Sequence, residues 1–271
     1  MPRFEYKISL GQNFLFDQAL LRRLVDASAV GPEDRVLEIG AGRGDLTQAL
    51  AGRVQHVTAV EIDERLIPIL HERFADMPQV SIVQGDIMDL DLAALMGAAT
   101  PFHVVANLPY YLTTPILTLL LKTGLPIRSI SVMVQLEAAQ RLTAKAGSSD
   151  YGPLAVLAAY RGEVRAAVHV PARMFTPPPK VDSVFITLPY HRERSPRPRD
   201  EEMFFRLLNV AFAMRRKTLV NNLMPAFSLS REAAAHMVTS LGLPATVRGE
   251  RLSLHEFIAL SDALTQISRR N

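Results

Sequence analysis

Hydrophobic positions follow two kinds of pattern along the first 190 residues of the chain. Short and mostly continuous apolar runs are typical of strands that are covered on both faces of a sheet. They predict strands at Arg35–Ile39, Val57–Ile62, Val80–Gln84, His103–Ala106, Ser129–Val134, Glu163–Val170 and Val181–Leu188. Helical patterns lie between the runs, at about residues 45–52, 64–75, 115–123 and 137–146. This alternation predicts an α/β fold with a mostly parallel, doubly wound seven-stranded sheet.

Two details refine this picture. Thr114 followed by Pro115 is typical of a helix cap and a first-turn proline, which predicts the start of the third helix there. The last two predicted strands lie close together in the sequence, with the proline-rich stretch 171–179 between them. We therefore expect an antiparallel hairpin at one edge of the sheet.

The pattern changes after residue 190. HRERSPRPRD, residues 191–200, is charged and rich in proline, which predicts a linker over residues 191–199. Only helical patterns follow it. Asp200 and the acids after it favour a helix start, and Ser253 and Glu256 have the spacing of a capping box. The sequence thus predicts one domain over residues 1–190 and a small, all-helical domain over residues 200–271.

The composition is that of an ordinary globular protein, with 48% hydrophobic and 21% charged residues. No apolar run is long enough to span a bilayer, and the N-terminus lacks a secretory pattern, so we expect no membrane partner and a cytoplasmic location. The chain has no cysteine, which excludes disulfides, thiolate nucleophiles and cysteine-based zinc sites. We predict no metal site.

The charge is uneven along the chain. Residues 1–190 hold 17 Lys and Arg against 19 Asp and Glu, a net charge of −2, whereas residues 191–271 hold 13 against 8, a net charge of +5. A basic end on a near-neutral body indicates a polyanionic partner, although a merely soluble basic surface would give the same asymmetry.

A glycine-rich turn, EIGAGRGDLT at residues 38–47, follows the first of these strands. Glycine allows a ligand to approach the backbone closely. The spacing is not that of a dinucleotide turn, since Asp45 stands where the third glycine belongs, and no G-K-[ST] of a P-loop is present. Glu61 at the tip of the next strand is placed to accept hydrogen bonds from ribose hydroxyls, and Asp86 after the third strand from an adenine amino group. Each acid alone would also fit a helix cap or a solvated loop.

This acid-lined crevice suits S-adenosylmethionine as its ligand. The molecule has an adenine, a ribose and a cationic sulfonium but no phosphate, and no cluster of Lys or Arg accompanies the crevice. Glu38, just before the glycine turn, would orient the amino-acid part of the donor or tie down the loop as a buried carboxylate.

The fourth strand runs into Asn107-Leu108-Pro109-Tyr110, beside the same crevice. The Asn107 side-chain oxygen and the Leu108 carbonyl would accept the two hydrogens of an adenine amino group and free its lone pair for attack. Pro109 fixes the chain direction, and Tyr110 offers a face for base stacking. Catalysis would then rest on positioning and electrostatics. A turn with a packed tyrosine is the structural alternative.

Phe175 precedes three consecutive prolines, which form a stiff segment. Such a segment would hold Phe175 opposite Tyr110, so that a base lies between the two rings. The alternative is a rigid hairpin connection with Phe175 in the core.

Together these motifs resemble those of the ribosomal RNA adenine N6,N6-dimethyltransferases, and most closely the bacterial branch that acts on 16S rRNA. The resemblance rests on the order of GQNFL (11–15), EIGAGRGDLT (38–47), VEID (60–63), GDI (85–87), NLPY (107–110) and FTPPPKVDS (175–183). It covers nearly the whole chain, and Ala41 stands where many family members have proline.

The resemblance implies a Rossmann-like class I methyltransferase domain that uses S-adenosylmethionine to dimethylate two adjacent adenosines in a 3′-terminal hairpin loop. The donor would be bound by Gln12, Asn13, Leu15, Glu38, Gly40, Gly42, Glu61, Ile62, Asp86, Ile87 and Asn107. The target adenine would be held by Asn107, Leu108, Pro109, Tyr110 and Phe175. Arg215, Arg216 and Lys217 would meet RNA phosphates, although a solvated helix face would also explain their charge.

Alternatives within and outside this family stay open. The 23S rRNA dimethyltransferases of macrolide resistance share GQNFL and a similar N-x-P-Y, but Leu108 and the FTPPPKVDS tract favour the small-subunit branch. A ribosome-assembly factor that binds immature small subunits, with methylation secondary, is the alternative from another class. We expect a monomer.

Overall fold

The computed structural model describes residues 13–190 and 196–268 of the chain. The strands are β1 (Phe14–Leu15), β2 (Arg35–Ile39), β3 (His56–Glu61), β4 (Val80–Gln84), β5 (Phe102–Asn107), β6 (Ile127–Gln135), β7 (Arg165–Val170), β8 (Phe175–Thr176) and β9 (Ser183–Pro189). The helices are α1 (Gln18–Ala27), α2 (Asp45–Ala51), α3 (Ile67–Arg73), α4 (Leu92–Met96), α5 (Thr113–Lys122), α6 (Leu136–Thr143), α7 (Pro153–Arg161), α8 (Glu201–Ala213), α9 (Leu219–Phe227), α10 (Arg231–Ser240) and α11 (Leu254–Ser268).

Seven strands form one sheet in the order β4-β3-β2-β5-β6-β9-β7. Strands β2 to β6 are parallel, whereas β9 runs antiparallel to both β6 and β7. The α/β fold and the antiparallel hairpin at the edge are thus confirmed. Because the chain order reverses between β2 and β5, a crevice opens at the carboxyl ends of these two strands.

The central strands are covered on both faces, as their apolar runs predict. Val36 and Leu37 of β2 and Val104 and Val105 of β5 have no exposed surface. This burial holds the two strand ends that border the crevice in fixed positions.

The start of α5 differs from the prediction. The helix begins at Thr113 rather than after Thr114, and the preceding Leu112 makes no side-chain capping bond. The reason is that a 3-10 turn over Tyr110–Leu112 leads directly into the helix, and Pro115 still lies within its first turn.

The pattern of hydrophobic residues did not indicate several short elements. Helices α1, α4 and α7 were not predicted, nor was the small antiparallel sheet in which Phe14 pairs with Thr176 and Leu15 with Phe175. Two-residue strands are too short to give a hydrophobic period. For α1 a local signal was present, since Asp17 accepts a hydrogen bond from the Leu20 amide at 2.8 Å, as an N-cap does.

Contacts divide the described residues into two compact units, one of residues 13–139 and 161–190 and one of residues 140–160 and 196–268. The predicted boundaries leave residues 140–160 in the first domain. In the structure these residues belong to the second unit. The Tyr151 hydroxyl donates to the Leu252 carbonyl at 2.8 Å, and the centroid of the Tyr160 ring lies 5.0 Å from that of Phe204.

The helix starts of the second unit follow their sequence signals. The Asp200 carboxylate accepts from the Met203 amide at 3.0 Å. Ser253 and Glu256 form the reciprocal bonds of a capping box, with the Ser253 amide 2.6 Å from a Glu256 carboxylate oxygen. Over the described parts of both units, no helix has the length and apolar character that crossing a membrane requires.

Candidate active site

One pocket opens at the carboxyl ends of β2, β3, β4 and β5 in the first unit. Its lining includes most of the side chains that the sequence assigned to the donor and to the target base. These are Asn13, Leu15, Glu38, Gly40, Gly42, Glu61, Ile62, Asp86, Ile87, Asn107, Leu108 and Pro109. Gln12 lies outside the described residues. The crevice predicted from three strand tips is therefore present, and the fourth tip, at β5, completes it.

The glycine turn after β2 has a backbone that other residues rarely adopt. Gly40 and Gly42 have φ angles of +78° and +60°. A Cβ atom on Gly42 would lie 2.9 Å from Cε1 of Phe14, so only glycine leaves room for that ring. The absence of a side chain at Gly42 thus leaves space for the Phe14 ring of β1 as well as for a ligand.

Glu61 links the tip of β3 to this turn. One of its carboxylate oxygens accepts from the Gly42 amide at 2.7 Å and the other from the Asp63 amide at 2.8 Å. Burial raises the pKa of Glu61, while the bonds from these backbone amides oppose that rise. A carboxylate has about four lone-pair sites, so Glu61 is able to accept from a ligand hydroxyl in addition to these backbone bonds.

Glu38 is buried at the floor of the pocket. Only 1% of its surface is exposed, and within the described part of the chain its Oε2 has no hydrogen-bond partner. Burial raises the pKa of Glu38 to about 8; the neighbouring Thr47 hydroxyl opposes this rise, and the nearby Glu61 and Asp45 add to it. The carboxyl is therefore mostly protonated at neutral pH, and a cationic ligand would favour its ionised form.

The tip of β4 supplies Asp86 and Ile87, and the tip of β3 supplies Ile62 beside them. Asp86 accepts from the Met88 amide at 2.9 Å through Oδ1. Ile87 is buried and Ile62 is exposed, and both line the pocket beside it. An apolar slot next to a carboxylate fits a flat heterocycle with an amino group.

At the tip of β5, the Asn107 side chain is held in place by a hydrogen bond to the segment just before β1. Its Nδ2 donates to the Asn13 backbone carbonyl at 2.9 Å. With its nitrogen engaged, the side chain has Oδ1 left as an acceptor. Leu108 is buried next to it, and Pro109 has a φ of −63°.

Tyr110 and Phe175 are neighbours, but neither belongs to the pocket lining. Their rings meet edge to face, with centroids 6.5 Å apart and planes at 73°, rather than as two parallel plates. Phe175 is only 2% exposed, and the Tyr110 hydroxyl is 2.8 Å from that of Ser183. A base would fit between the rings only if they moved apart.

Sequence reasoning missed several lining residues, among them Phe14, Arg43, Leu112 and Tyr111. Tyr111 is 52% exposed, and burial together with the charges of Asp86 and Glu61 raises its pKa. In the sequence, Tyr111 directly follows Tyr110 in the run Pro109-Tyr110-Tyr111, and this second tyrosine could have indicated it.

The basic tract lies in the second unit, in the turn between α8 and α9. Arg215, Arg216 and Lys217 are exposed there. Arg215 donates to the Ser149 backbone carbonyl at 2.8 Å, so this side chain also fixes a loop of its own unit.

A glycine turn, a carboxylate at the second strand tip and an aspartate at the third, on a sheet with one antiparallel strand near its edge, define the S-adenosylmethionine-dependent methyltransferases of class I. The family model of ribosomal RNA adenine dimethylases matches residues 3–264. The chain belongs to this family. The predicted enzyme class and the methyl donor are thereby confirmed.

Individual proteins resemble the chain over almost their full length. Ribosomal RNA small subunit methyltransferase A of Shouchella clausii is 43% identical, over 98% of this chain and 92% of that protein. Among solved structures, a dimethyladenosine transferase from Plasmodium falciparum has a TM-score of 0.78 at 23% identity, over 95% of this chain and 98% of that one. The 23S rRNA methyltransferase ErmE has a TM-score of 0.67 at 26% identity, over 94% and 100%.

Proposed function

We propose that this enzyme transfers methyl groups from S-adenosylmethionine to N6 of two adjacent adenosines in a 3′-terminal hairpin loop of 16S rRNA, giving N6,N6-dimethyladenosine. The observation that carries the proposal is that Asn107, Leu108 and Pro109 line the same pocket as Glu61 and Asp86. A target amino group at the tip of β5 would thus meet a donor bound at the tips of β2, β3 and β4.

The small-subunit RNA is the substrate that the relatives favour. The chain is 43% identical to a small-subunit methyltransferase and 26% identical to a 23S rRNA methyltransferase, each over most of both chains. We infer that the RNA is part of an immature small subunit, that the enzyme acts in the cytoplasm and that it is a monomer.

In this proposal the donor is held by groups from three strand tips. Glu61 accepts from its ribose, Asp86 from its adenine amino group, and Ile62 and Ile87 pack on the adenine ring. Gly40 and Gly42 leave room for its methionine part, and Glu38 faces that cationic end from below. Asn13, which precedes β1, and Leu15 of β1 cover the pocket, and we place Gln12 with them on the resemblance alone.

The target adenine is activated without a strong base. Asn107 Oδ1 and the Leu108 carbonyl each accept one hydrogen of N6, which draws the nitrogen toward a tetrahedral geometry and frees its lone pair. That lone pair would attack the methyl carbon of the donor's sulfonium, whose carbon–sulfur bond would break to leave a neutral thioether, and the methylated nitrogen would then lose a proton to water. Pro109 directs the Leu108 carbonyl, and Tyr110 and Phe175 contact the ring.

The second unit would supply affinity rather than chemistry. Arg215, Arg216 and Lys217 are exposed in one turn, where they would neutralise RNA phosphates. The proposal assigns to this helical unit the binding of RNA or of the subunit.

A methyl-transfer assay with labelled S-adenosylmethionine tests the proposal. Unmethylated small subunits, large subunits, naked rRNA and duplex DNA are offered in parallel, and the labelled nucleoside is identified after digestion. We expect N6,N6-dimethyladenosine from small subunits alone, and none with Asn107→Ala. Label only in large subunits would assign the protein to the 23S branch. Donor binding without any label would favour an assembly factor instead.

A further inference from the structure

Exposed apolar side chains concentrate along one edge of the large sheet. Of the eight large hydrophobic residues that are exposed in the described part of the chain, six lie at its carboxyl edge. They are Phe16, Ile62, Met88, Tyr111, Leu136 and Val181. Single exposed apolar residues are ordinary, but a row of them at one edge marks a binding surface.

Two members of this row lie outside the pocket. Leu136 is 45% exposed and directly follows the last residue of β6, while Val181 is 47% exposed and lies two residues before β9. The two strand ends are paired in register, Gln135 opposite Ser183, and the Leu136 amide donates to the Asp182 carbonyl at 3.3 Å. Leu136 and Val181 therefore sit on adjacent strand ends, and we call them the flank surface.

The flank surface is continuous with the proposed site of the target base. The Tyr110 hydroxyl is 2.8 Å from that of Ser183, the first residue of β9, so the ring of Tyr110 extends from β5 toward the flank surface. The donor side of the pocket, with Glu61 and Asp86, lies at β3 and β4 on the other side of β5. An RNA strand that runs from Tyr110 to the side away from the donor pocket passes over β6 and β9, where this surface lies.

Charged groups of both signs border the flank surface, and the acid Glu137, which directly follows Leu136, is exposed. Asp182 is the acid next to Val181, but its Oδ1 accepts from the Ala172 amide at 2.9 Å and its Oδ2 lies 3.1 Å from Nε2 of His169. The carboxylate is thus engaged with groups on the β7 side. Lys180 on the other side of Val181 is exposed and offers a cation for a phosphate.

We propose that the flank surface binds the unpaired nucleotide next to the target adenosine, with its base on Leu136 and Val181 and its phosphate near Lys180. This inference rests on the proposed function. A base that enters the pocket leaves its neighbour unstacked, and an unstacked base regains contact on apolar side chains. The loss of contact with water by both partners stabilises the bound state.

The test uses the full-length protein carrying Leu136→Ser and Val181→Ser together, with Ile69→Ser as the matched control. Ile69 is 37% exposed on α3, which contacts β4, at the opposite end of the sheet from β9. The ligand is a naked RNA hairpin with two adjacent adenosines in its loop, and its affinity is measured over a range of salt concentrations. Donor affinity and the melting temperature are measured for the same variants.

We expect the double variant to bind the hairpin about tenfold more weakly, near the lower end of what one stacked base contributes. The salt dependence should stay parallel to that of the wild type, because no cation has been removed. With small subunits as the substrate, KM should rise with little change in kcat, while donor affinity and melting temperature match those of the control.

Equal hairpin affinity of the double variant and Ile69→Ser would overturn the inference. A loss confined to whole subunits, with the naked hairpin unaffected, would overturn it too, because it would indicate a protein contact. A different result would contradict the proposed function, namely no methyl transfer to small subunits by the wild type. The inference about the flank surface would then be rejected as well.

Discussion

The side-chain nitrogen of Asn107 donates a hydrogen bond to the backbone carbonyl of Asn13 at 2.9 Å, across 94 positions of the chain. The bond joins the end of β5 to the residue that precedes β1. β1 in turn pairs with β8, which contains Phe175. One side chain thus orients the proposed target site and also holds the strand that covers the pocket.

Asn107→Ala should therefore have two separable effects. Loss of the oxygen that accepts from N6 should lower kcat by about 100-fold or more, as removal of one preorganised polar group commonly does. Loss of the nitrogen should free β1, which is measured as faster hydrogen exchange at the Phe14 and Leu15 amides.

Asn107→Asp separates the two roles, because it keeps acceptor oxygens and removes the donor. It should exchange as fast as Asn107→Ala at β1 but retain more activity. A kcat for Asn107→Ala close to that of the wild type would contradict the acceptor role.

Gly42→Ala should weaken donor binding by displacing β1. The new Cβ would lie 2.9 Å from a ring carbon of Phe14, and the backbone is left-handed there. Gly242→Ala is a matched control, since Gly242 has a φ of +77° with no atom within 4 Å of the added Cβ. Both variants should lose roughly 1–2 kcal/mol of stability from the backbone alone. By calorimetry, only Gly42→Ala should raise the donor Kd, by about tenfold.

The sheet and its crevice were predictable from the sequence because both depend on local patterns. Continuous apolar runs identified the strands of the large sheet, and the polar and glycine residues at the end of each run identified the strand ends that border the crevice. Glu61, Asp86 and Asn107 could be placed together since parallel strands end at the same edge. Their shared pocket follows from strand order alone, without any knowledge of side-chain positions.

The remaining features depend on long-range contacts that no local pattern encodes. Pairing of Leu15 with Phe175 joins two segments that each supply only two strand residues. The edge-to-face contact of Tyr110 and Phe175 was missed because motif order gives proximity but not ring angles. The place of residues 140–160 in the second unit depends on contacts such as Tyr151 with Leu252, 101 positions away.

Glu38 should make folding stability depend on pH. Burial raises its pKa from 4.5 to about 8, so between these values the folded state holds a proton that the unfolded chain has lost. Stability should therefore fall as pH rises from about 5 to 8, by up to about 1.4 kcal/mol per pH unit, and level off above the folded pKa. Urea unfolding at several pH values measures this slope.

Glu38→Gln is the control for that slope, because it keeps the shape and cannot ionise. It should flatten the pH dependence and be more stable than the wild type at pH 8. Donor binding gives a second measurement, since a cationic ligand should release the Glu38 proton and make the binding enthalpy depend on the buffer. Identical slopes for the two proteins would show that Glu38 is already ionised in the folded state.

Arg216→Ala and Lys217→Ala should each weaken RNA binding in a manner that depends on salt. Each exposed cation that meets a phosphate adds about one to the slope of log K against log salt, so each loss should lower the slope by about that amount. Arg215→Ala should lower the slope and also loosen the loop at Ser149, to which Arg215 donates at 2.8 Å. Arg23→Ala, an exposed arginine on α1, is the control that should leave the slope unchanged. If Arg216→Ala and Lys217→Ala behave like Arg23→Ala, the tract is a solvated surface, and the basic excess of residues 191–271 must act elsewhere.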